Sequence, residues 1–210
     1  MNYQKEMEKI IETLKKEGKV PTLLLHSCCG PCSSSVLEYL SRYFQVTLFF
    51  YNPNIFPEEE YSRRIVEQQM LIDKLEVLHP ISFCAGTYDN ERFEELARGK
   101  EEMKEGGERC FACYELRLRE AVDMARKGGF DFVTTTLTVS PMKSAEKLNA
   151  IGKKLAEEYG VQYLPSDFKK KNGYKRSIEL SKQYHLYRQD YCGCRFSVRT
   201  KPANSEKEKR

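Results

Sequence analysis

No apolar run in the 210-residue chain approaches the roughly 18 residues that a transmembrane helix requires, so no membrane-spanning segment is expected. The first twenty residues are a charged amphipathic pattern, unlike a secretory signal, and the cytoplasm is the expected address. Internal repeats and low-complexity linkers are also missing, which excludes a repeat array or tethered domains. Nor is the charge extreme: Lys and Arg exceed Asp and Glu by 35 − 31 = 4. With 40% hydrophobic and 31% charged residues, collagen-like, disordered and membrane classes are ruled out.

At about 150 residues per domain, the length corresponds to one domain with room for a modest appendage. Folding should bury roughly 70% of the surface of the unfolded chain, so neither disulfides nor metals are needed merely to hold the fold. The eight cysteines are free for chemistry.

Tyr3, Met7, Ile10, Ile11 and Leu14 fall on one face at helical period, and Gly18 offers a stop, so the chain opens with an amphipathic helix. Val20 to His26 is a short, nearly continuous apolar run of the kind found in strands buried on both sheet faces. The turn-rich loop SCCGPCSSS follows, then a helix through Val36, Leu37 and Leu40. A second strand is expected over Val46 to Tyr51, a long helix from Glu58 to Leu75, and a third strand over Val77 to Phe83, interrupted by Pro80. Beyond a charged, helix-prone stretch from Tyr88 to Gly107, the period of Tyr114, Leu118, Ala121, Val122 and Ala125 marks another helix. A CxxC pair opens it and Gly128-Gly129 ends it. A fourth strand over Phe130 to Leu137, a helix through Ala145, Leu148, Leu155, Ala156 and Tyr159, and a fifth strand over Val161 to Leu164 continue the alternation. Five strands separated by helices imply an open, mostly parallel five-stranded α/β sheet with helices on both faces. Ligands bind such sheets at the strand C-terminal ends, and the loops after strands one and four are the natural candidates. Residues 201–210 are polar and expected to fray.

Seven cysteines stand in three tight groups: Cys28, Cys29 and Cys32; Cys110 and Cys113; Cys192 and Cys194. In reducing cytosol such spacing points to metal binding or redox catalysis, and CC and CxC pairs strain an ordinary disulfide while sharing a metal readily. Thiolates suit zinc, copper(I) and iron–sulfur clusters. Seven ligands exceed what one structural zinc or one cubane takes, so the count points to a cluster plus a second metal or a redox thiol pair. Cys110 and Cys113 open a helix, whose N-terminal dipole favours the thiolate, and Gly193 between Cys192 and Cys194 lets backbone approach an inorganic core. Cys84, in the apolar stretch ISFCAG, reads as a core residue.

With SCCGPCS after strand one, ERCFACYELRL in the middle and DYCGCRFS near the end, the chain resembles the QueH-type epoxyqueuosine reductases. The resemblance covers nearly the whole chain, and the ordered combination of CCxxC, CxxC and CxC is its specific part. It implies a Rossmann-like domain over residues 1–200, related to the nucleotide-binding PP-loop and HUP folds, with a 4Fe-4S cluster beside a separate mononuclear iron. It further implies reduction of epoxyqueuosine at the wobble position of tRNA to queuosine, without cobalamin, using an unidentified electron donor. Carried over by motif, the metal ligands are Cys28, Cys29, Cys32, Cys110, Cys113, Cys192 and Cys194. We assign Cys110, Cys113, Cys192 and Cys194 chiefly to the cluster, and Cys28, Cys29 and Cys32 to the second metal and to catalysis. Some members of the family have an aspartate at the position of Cys32, and the softer ligand here bears on which ion binds.

Opening an epoxide to an alkene takes two electrons and two protons, whereas a cubane normally supplies one electron at a time. A neighbouring iron acting as Lewis acid on the epoxide oxygen would complete the requirement.

Between Asp167 and Arg199, nine Lys or Arg face three Asp or Glu, a local excess of 9 − 3 = 6. Lys170, Lys171, Tyr174 and Lys175, with Lys169 and Arg176 beside them, suit RNA phosphates and a splayed base, although a solvated loop has the same composition. Arg188 precedes the CxC, and Asn54, Ser140 and Lys143 lie in loops at the same sheet edge, so these too are candidates for the substrate. His26 ends a buried strand and reads as a satisfied core residue. Three rival readings are an ATPase of the PP-loop type, a CCG-type iron–sulfur disulfide reductase and a zinc-binding RNA adaptor without catalysis. The first wants SGGxDS, where this chain has cysteines at the glycine and aspartate positions. The second leaves the central CxxC and final CxC unexplained.

Overall fold

The structure, a computed structural model, describes residues 2–197; the tail expected over 201–210 lies outside the described residues. Five strands form one sheet: β1 (Thr22–His26), β2 (Gln45–Phe50), β3 (Ser82–Ala85), β4 (Phe132–Thr135) and β5 (Gln162–Tyr163). Their order is β3-β2-β1-β4-β5 and every pairing is parallel. The open α/β sheet read from the sequence is thus present, parallel throughout.

Side chains alternate across each strand, and both faces are apolar because both are covered. Leu23 and Leu25 of β1 join Val46, Leu48 and Phe50 of β2 in one core. That core is closed by α1 (Tyr3–Lys16), α2 (Gly30–Leu40) and α3 (Glu58–Lys74), which contribute Met7, Leu37 and Leu71. On the other face Leu24, Phe49 and Val133 pack against Leu118 and Val122 of α5 (Glu108–Lys127) and Leu148 and Leu155 of α6 (Ala145–Tyr159). α4 (Asn90–Ala97) and α7 (Gly173–Gln183) complete the helices among the described residues. Local signals set the helix ends: the Asn2 side chain accepts from the Lys5 amide, Ser144 does the same for Lys147, and Gly160 takes a left-handed conformation after α6.

β1 has β2 on one side and β4 on the other, and their following helices, α2 and α6, lie on opposite faces. The loops leaving β1 and β4 therefore part from each other and open a crevice at the strand C-terminal edge.

Several boundaries differ from the sequence reading. The third strand pairs only over Ser82–Ala85, because Pro80 has no N–H to offer a ladder and the chain joins the sheet after it. The fourth stops at Thr135, whose hydroxyl accepts from the Leu137 amide and turns Thr136–Val139 into a 3₁₀ segment that peels from the sheet. Of the stretch from 88 to 107, only Asn90–Ala97 is helical, with Gly99 at positive φ just beyond. Cys84 is half-buried instead of a core residue, since β3 is an edge strand and lacks a neighbour on one side.

Candidate metal centre

β1 delivers the first cysteine group. His26, fully buried, ends the strand with Nδ1 2.8 Å from Thr135 Oγ1 and Nε2 3.1 Å from the Tyr51 carbonyl, as its core reading required. Burial, with Arg117 nearby, lowers its pKa to about 3, so the ring is neutral. The chain then turns through Ser27 and Cys28 into α2, with Cys29 at the N-cap and Pro31 in the first turn, where its missing N–H costs nothing. Ser33 Oγ lies 2.8 Å from Gln68 Oε1, and Ser27 Oγ reaches the same oxygen at 3.0 Å. Asn52 Nδ2 donates to the Ser27 carbonyl at 2.9 Å. These bonds tie the turn from β1 into α2 to Gln68 of α3 and to Asn52 after β2.

The ligand atoms of Cys28, Cys29 and Cys32 all lie within 4.8 Å of one another, with Cys28 and Cys29 sulfurs 3.8 Å apart. Hydrogen bonding with Cys29 and then Cys32 holds the Cys28 pKa well below the thiol range, while Cys29 and Cys32 are themselves pushed up. Lys143 and Arg117 add to the stabilisation of the Cys28 thiolate. This is a preformed soft-donor triad at a helix N-terminus, where partial positive charge also favours thiolate.

α5 carries the second group and the segment after α7 the third. Cys110, Cys113, Cys192 and Cys194 line one cavity together with Asn54, Lys143, Arg109 and Arg117. Burial pushes Cys113 up to about 12 and Cys194 up to about 11, which marks apolar surroundings. The Gly106 amide donates to Cys110 Sγ at 3.3 Å. Gly193 has φ +107°, and its carbonyl accepts from the Phe56 amide at 2.9 Å. A Cβ there would stand 2.9 Å from Ile55 Cγ1 and 3.0 Å from Arg64 Nη1. Arg64 Nη1 in turn donates to the Cys192 carbonyl at 3.2 Å. Only glycine fits between the two thiols.

A second, open cavity of about 350 Å³ adjoins the first. It is lined by Cys28, Cys29 and Cys32, and it shares Cys192 and Lys143 with the inner one. Three groups far apart in the chain thus meet at the C-terminal edge of the sheet, as the topology had suggested. The donor set suits the metals of the sequence reading: seven sulfurs border two adjoining cavities, four of them buried and Cys32, Cys110 and Cys192 partly so.

The other sequence candidates divide. Ser140, Lys143, Tyr174 and Arg188 line the open cavity, and Asn54 is buried at the inner one with Oδ1 unpartnered. Lys143 is raised above the ordinary lysine value because Cys192, Cys28 and Cys32 outweigh the burial that opposes its charge. Lys170 and Lys171 instead border a separate cavity between α1 and α2, where Lys171 pairs with Glu8 at 2.5 Å. Lys175 is exposed on α7, and Cys84 on β3 borders neither cysteine cavity. Sequence reasoning missed Asn52, Gln68, Arg64, Arg109 and Arg117, all buried around the thiols. One signal was legible: Arg109, Cys113 and Arg117 recur every four residues on one helical face.

Fold and site together define a parallel α/β protein with a cysteine triad that could bind a metal at its sheet switch point. Its sequence matches the family model described as "Epoxyqueuosine reductase QueH" over residues 23–200. Curated proteins named "Epoxyqueuosine reductase QueH" align along most of this chain. That of Staphylococcus epidermidis is 40% identical over 202 residues, covering 94% of this chain and 85% of the relative. That of Streptococcus pyogenes is 38% identical over 201 residues, covering 95% and 79%. The Thermotoga maritima protein is 34% identical over 180 residues, covering 84% and 90%. The chain belongs to the QueH family of epoxyqueuosine reductases. No helix among the described residues is long and apolar enough to cross a membrane.

Proposed function

We propose that residues 1–200 act as one reductase domain that removes the epoxide oxygen of epoxyqueuosine at the wobble position of tRNA, giving the alkene of queuosine. Both carbon–oxygen bonds of the ring break, two electrons and two protons enter, and the oxygen leaves as water. The electrons come from a donor outside the chain, and the cytoplasm, where tRNA is modified, is the compartment that fits.

The observation that carries this reading is the convergence of three cysteine groups on adjoining cavities, one of them open to solvent. Cys110, Cys113, Cys192 and Cys194 would hold a 4Fe-4S cluster, and the tight triad of Cys28, Cys29 and Cys32 a mononuclear iron. When bound, these centres supply electrons and a Lewis acid for the epoxide oxygen. The chain's own groups orient the substrate. Lys143 places a cation on the wall common to both cavities, where negative charge on a departing oxygen is favoured. Ser140 and Arg188 line the open side and can hydrogen-bond a nucleoside, and Tyr174, 37% exposed, offers a face on which a base can stack. Lys170, Lys171 and Lys175, set apart from the cavity, are placed for phosphates further along the RNA.

The test is anaerobic reconstitution with iron and sulfide, followed by mass spectrometry of epoxyqueuosine-containing tRNA incubated with a reductant. Loss of one oxygen mass is expected. An unchanged mass with fully loaded protein refutes the reading, and zinc without iron or acid-labile sulfide in anaerobically purified protein favours a non-catalytic adaptor.

A further inference from the structure

Three of the largest fully buried side chains are Arg64, Arg109 and Arg117, each at most 2% exposed. A buried guanidinium without a counter-ion is costly, so each demands a source of negative charge. Arg64 has one, Glu60, at 2.7 Å. Arg109 donates only to neutral acceptors, the Lys100 carbonyl at 2.9 Å and the Glu101 carbonyl at 2.6 Å. Arg117 donates to the Asn52 side-chain carbonyl, also neutral. Each arginine retains one buried nitrogen with no hydrogen-bond partner: Arg64 Nη2, Arg109 Nε and Arg117 Nε.

All three border the cysteine cavities. Arg64 lines the open one with Cys28 and Cys29, and Arg109 and Arg117 line the inner one on either side of Cys113. Arg117 shares its cavity with Cys110, Cys113, Cys192 and Cys194. The missing anion is therefore on the sulfur side.

We propose that Arg64, Arg109 and Arg117 are the counter-ions of the thiolate-bound metal centre, offsetting its excess negative charge and thereby raising its reduction potential. This inference rests on the metal assignment of the proposed function. A cubane core with two positive charges and a ferrous ion with two more leave three negative charges on seven thiolates. Against them stand the buried Arg64, Arg109 and Arg117 with Lys143, while Glu60 pairs with Arg64 and the exposed Glu105 stands on the rim common to both cavities. Loading with metal would bring these anionic thiolates against cations that already line the cavities.

The arginines act as positioning residues through the field at the centre, and the readout is its midpoint potential instead of turnover. Anaerobically reconstituted wild type, Arg117→Gln, Arg109→Gln, Arg117→Lys and Arg109→Lys would be titrated with dithionite and followed by electron paramagnetic resonance. Poised at the wild-type midpoint, each glutamine variant is expected to show a reduced-to-oxidised ratio at least tenfold lower, ~59 mV for a one-electron centre. The lysine variants, which keep the charge, should stay within threefold of wild type. Glutamine variants that load and share the wild-type midpoint overturn the inference. So do lysine variants that shift as far as the glutamine ones, because the role is then one of shape. If the glutamine variants fail to fold or to load, the lysine pair decides: wild-type loading and midpoint support the charge, and failure overturns it. A wild type that takes up no iron and sulfide sinks the metal assignment itself, whereas a loaded wild type with insensitive variants sinks this inference alone.

Discussion

Replacing Gly193 with alanine adds one methyl group between two proposed ligands and leaves every sulfur in place. Its φ of +107° lies where an L-residue is strained, at a cost on the order of 1–3 kcal/mol. The new Cβ would also meet Ile55 Cγ1 at 2.9 Å and Arg64 Nη1 at 3.0 Å, and relieving such overpacking costs typically about 1–3 kcal/mol more. Arg64 yields poorly, because Glu60 holds it at 2.7 Å and the Cys192 carbonyl accepts from it at 3.2 Å. Together these amount to roughly 2–6 kcal/mol, more than tenfold in the balance between a seated and a displaced CxC segment. The segment adds little to the main core, so global stability should change far less than metal retention. Anaerobic reconstitution followed by iron and sulfide assay checks this: Gly193→Ala should lose acid-labile sulfide while its metal-free melting temperature stays near wild type. A variant that keeps the full complement of iron and sulfide would show that the left-handed turn does not hold the cluster ligands.

Cys110→Ala should abolish the 4Fe-4S spectrum, and Cys84→Ser should preserve it, since Cys84 borders neither cavity; visible absorbance of the reconstituted proteins separates them. Cys32→Ala should remove one iron per chain and leave acid-labile sulfide unchanged, and loss of sulfide in that variant would reverse the division of ligands proposed above. Asn52→Ala strips the Ser27 carbonyl and Arg117 of their buried partner. It should cost about 1–3 kcal/mol in denaturant unfolding, and a smaller change would mean that the loop is fixed elsewhere. Gly173→Ala would place a Cβ 1.9 Å from the Phe168 carbonyl oxygen, a backbone atom that cannot move aside alone. Its start of α7 should shift and tRNA affinity fall, measured by filter binding, whereas unchanged affinity would remove Tyr174 from the RNA surface.

The apolar runs at 22–26 and 45–50 and the helical periods at 3–16 and 145–159 announce their elements in the sequence, because each is a local pattern of burial. The cysteine groups are legible for the same reason: CCxxC at a helix start and CxC around a glycine are short-range constraints. Strand edges at Pro80 and Thr135 were less clear, since pairing ends where a missing amide or a competing hydroxyl intervenes. Lys170 and Lys171 looked continuous with Tyr174, yet the turn through Lys171 and Asn172, both at positive φ, divides them between two cavities. The sequence by itself therefore determined the alternation of strands and helices and the identity of the thiol groups. Only the tertiary structure decided that Cys28, Cys113 and Cys192 border adjoining cavities and that Arg64, Arg109 and Arg117 line them. Crossing order in the sheet and burial from both faces are long-range outcomes, and in sequence a buried arginine on a helix cannot be told from a solvated one.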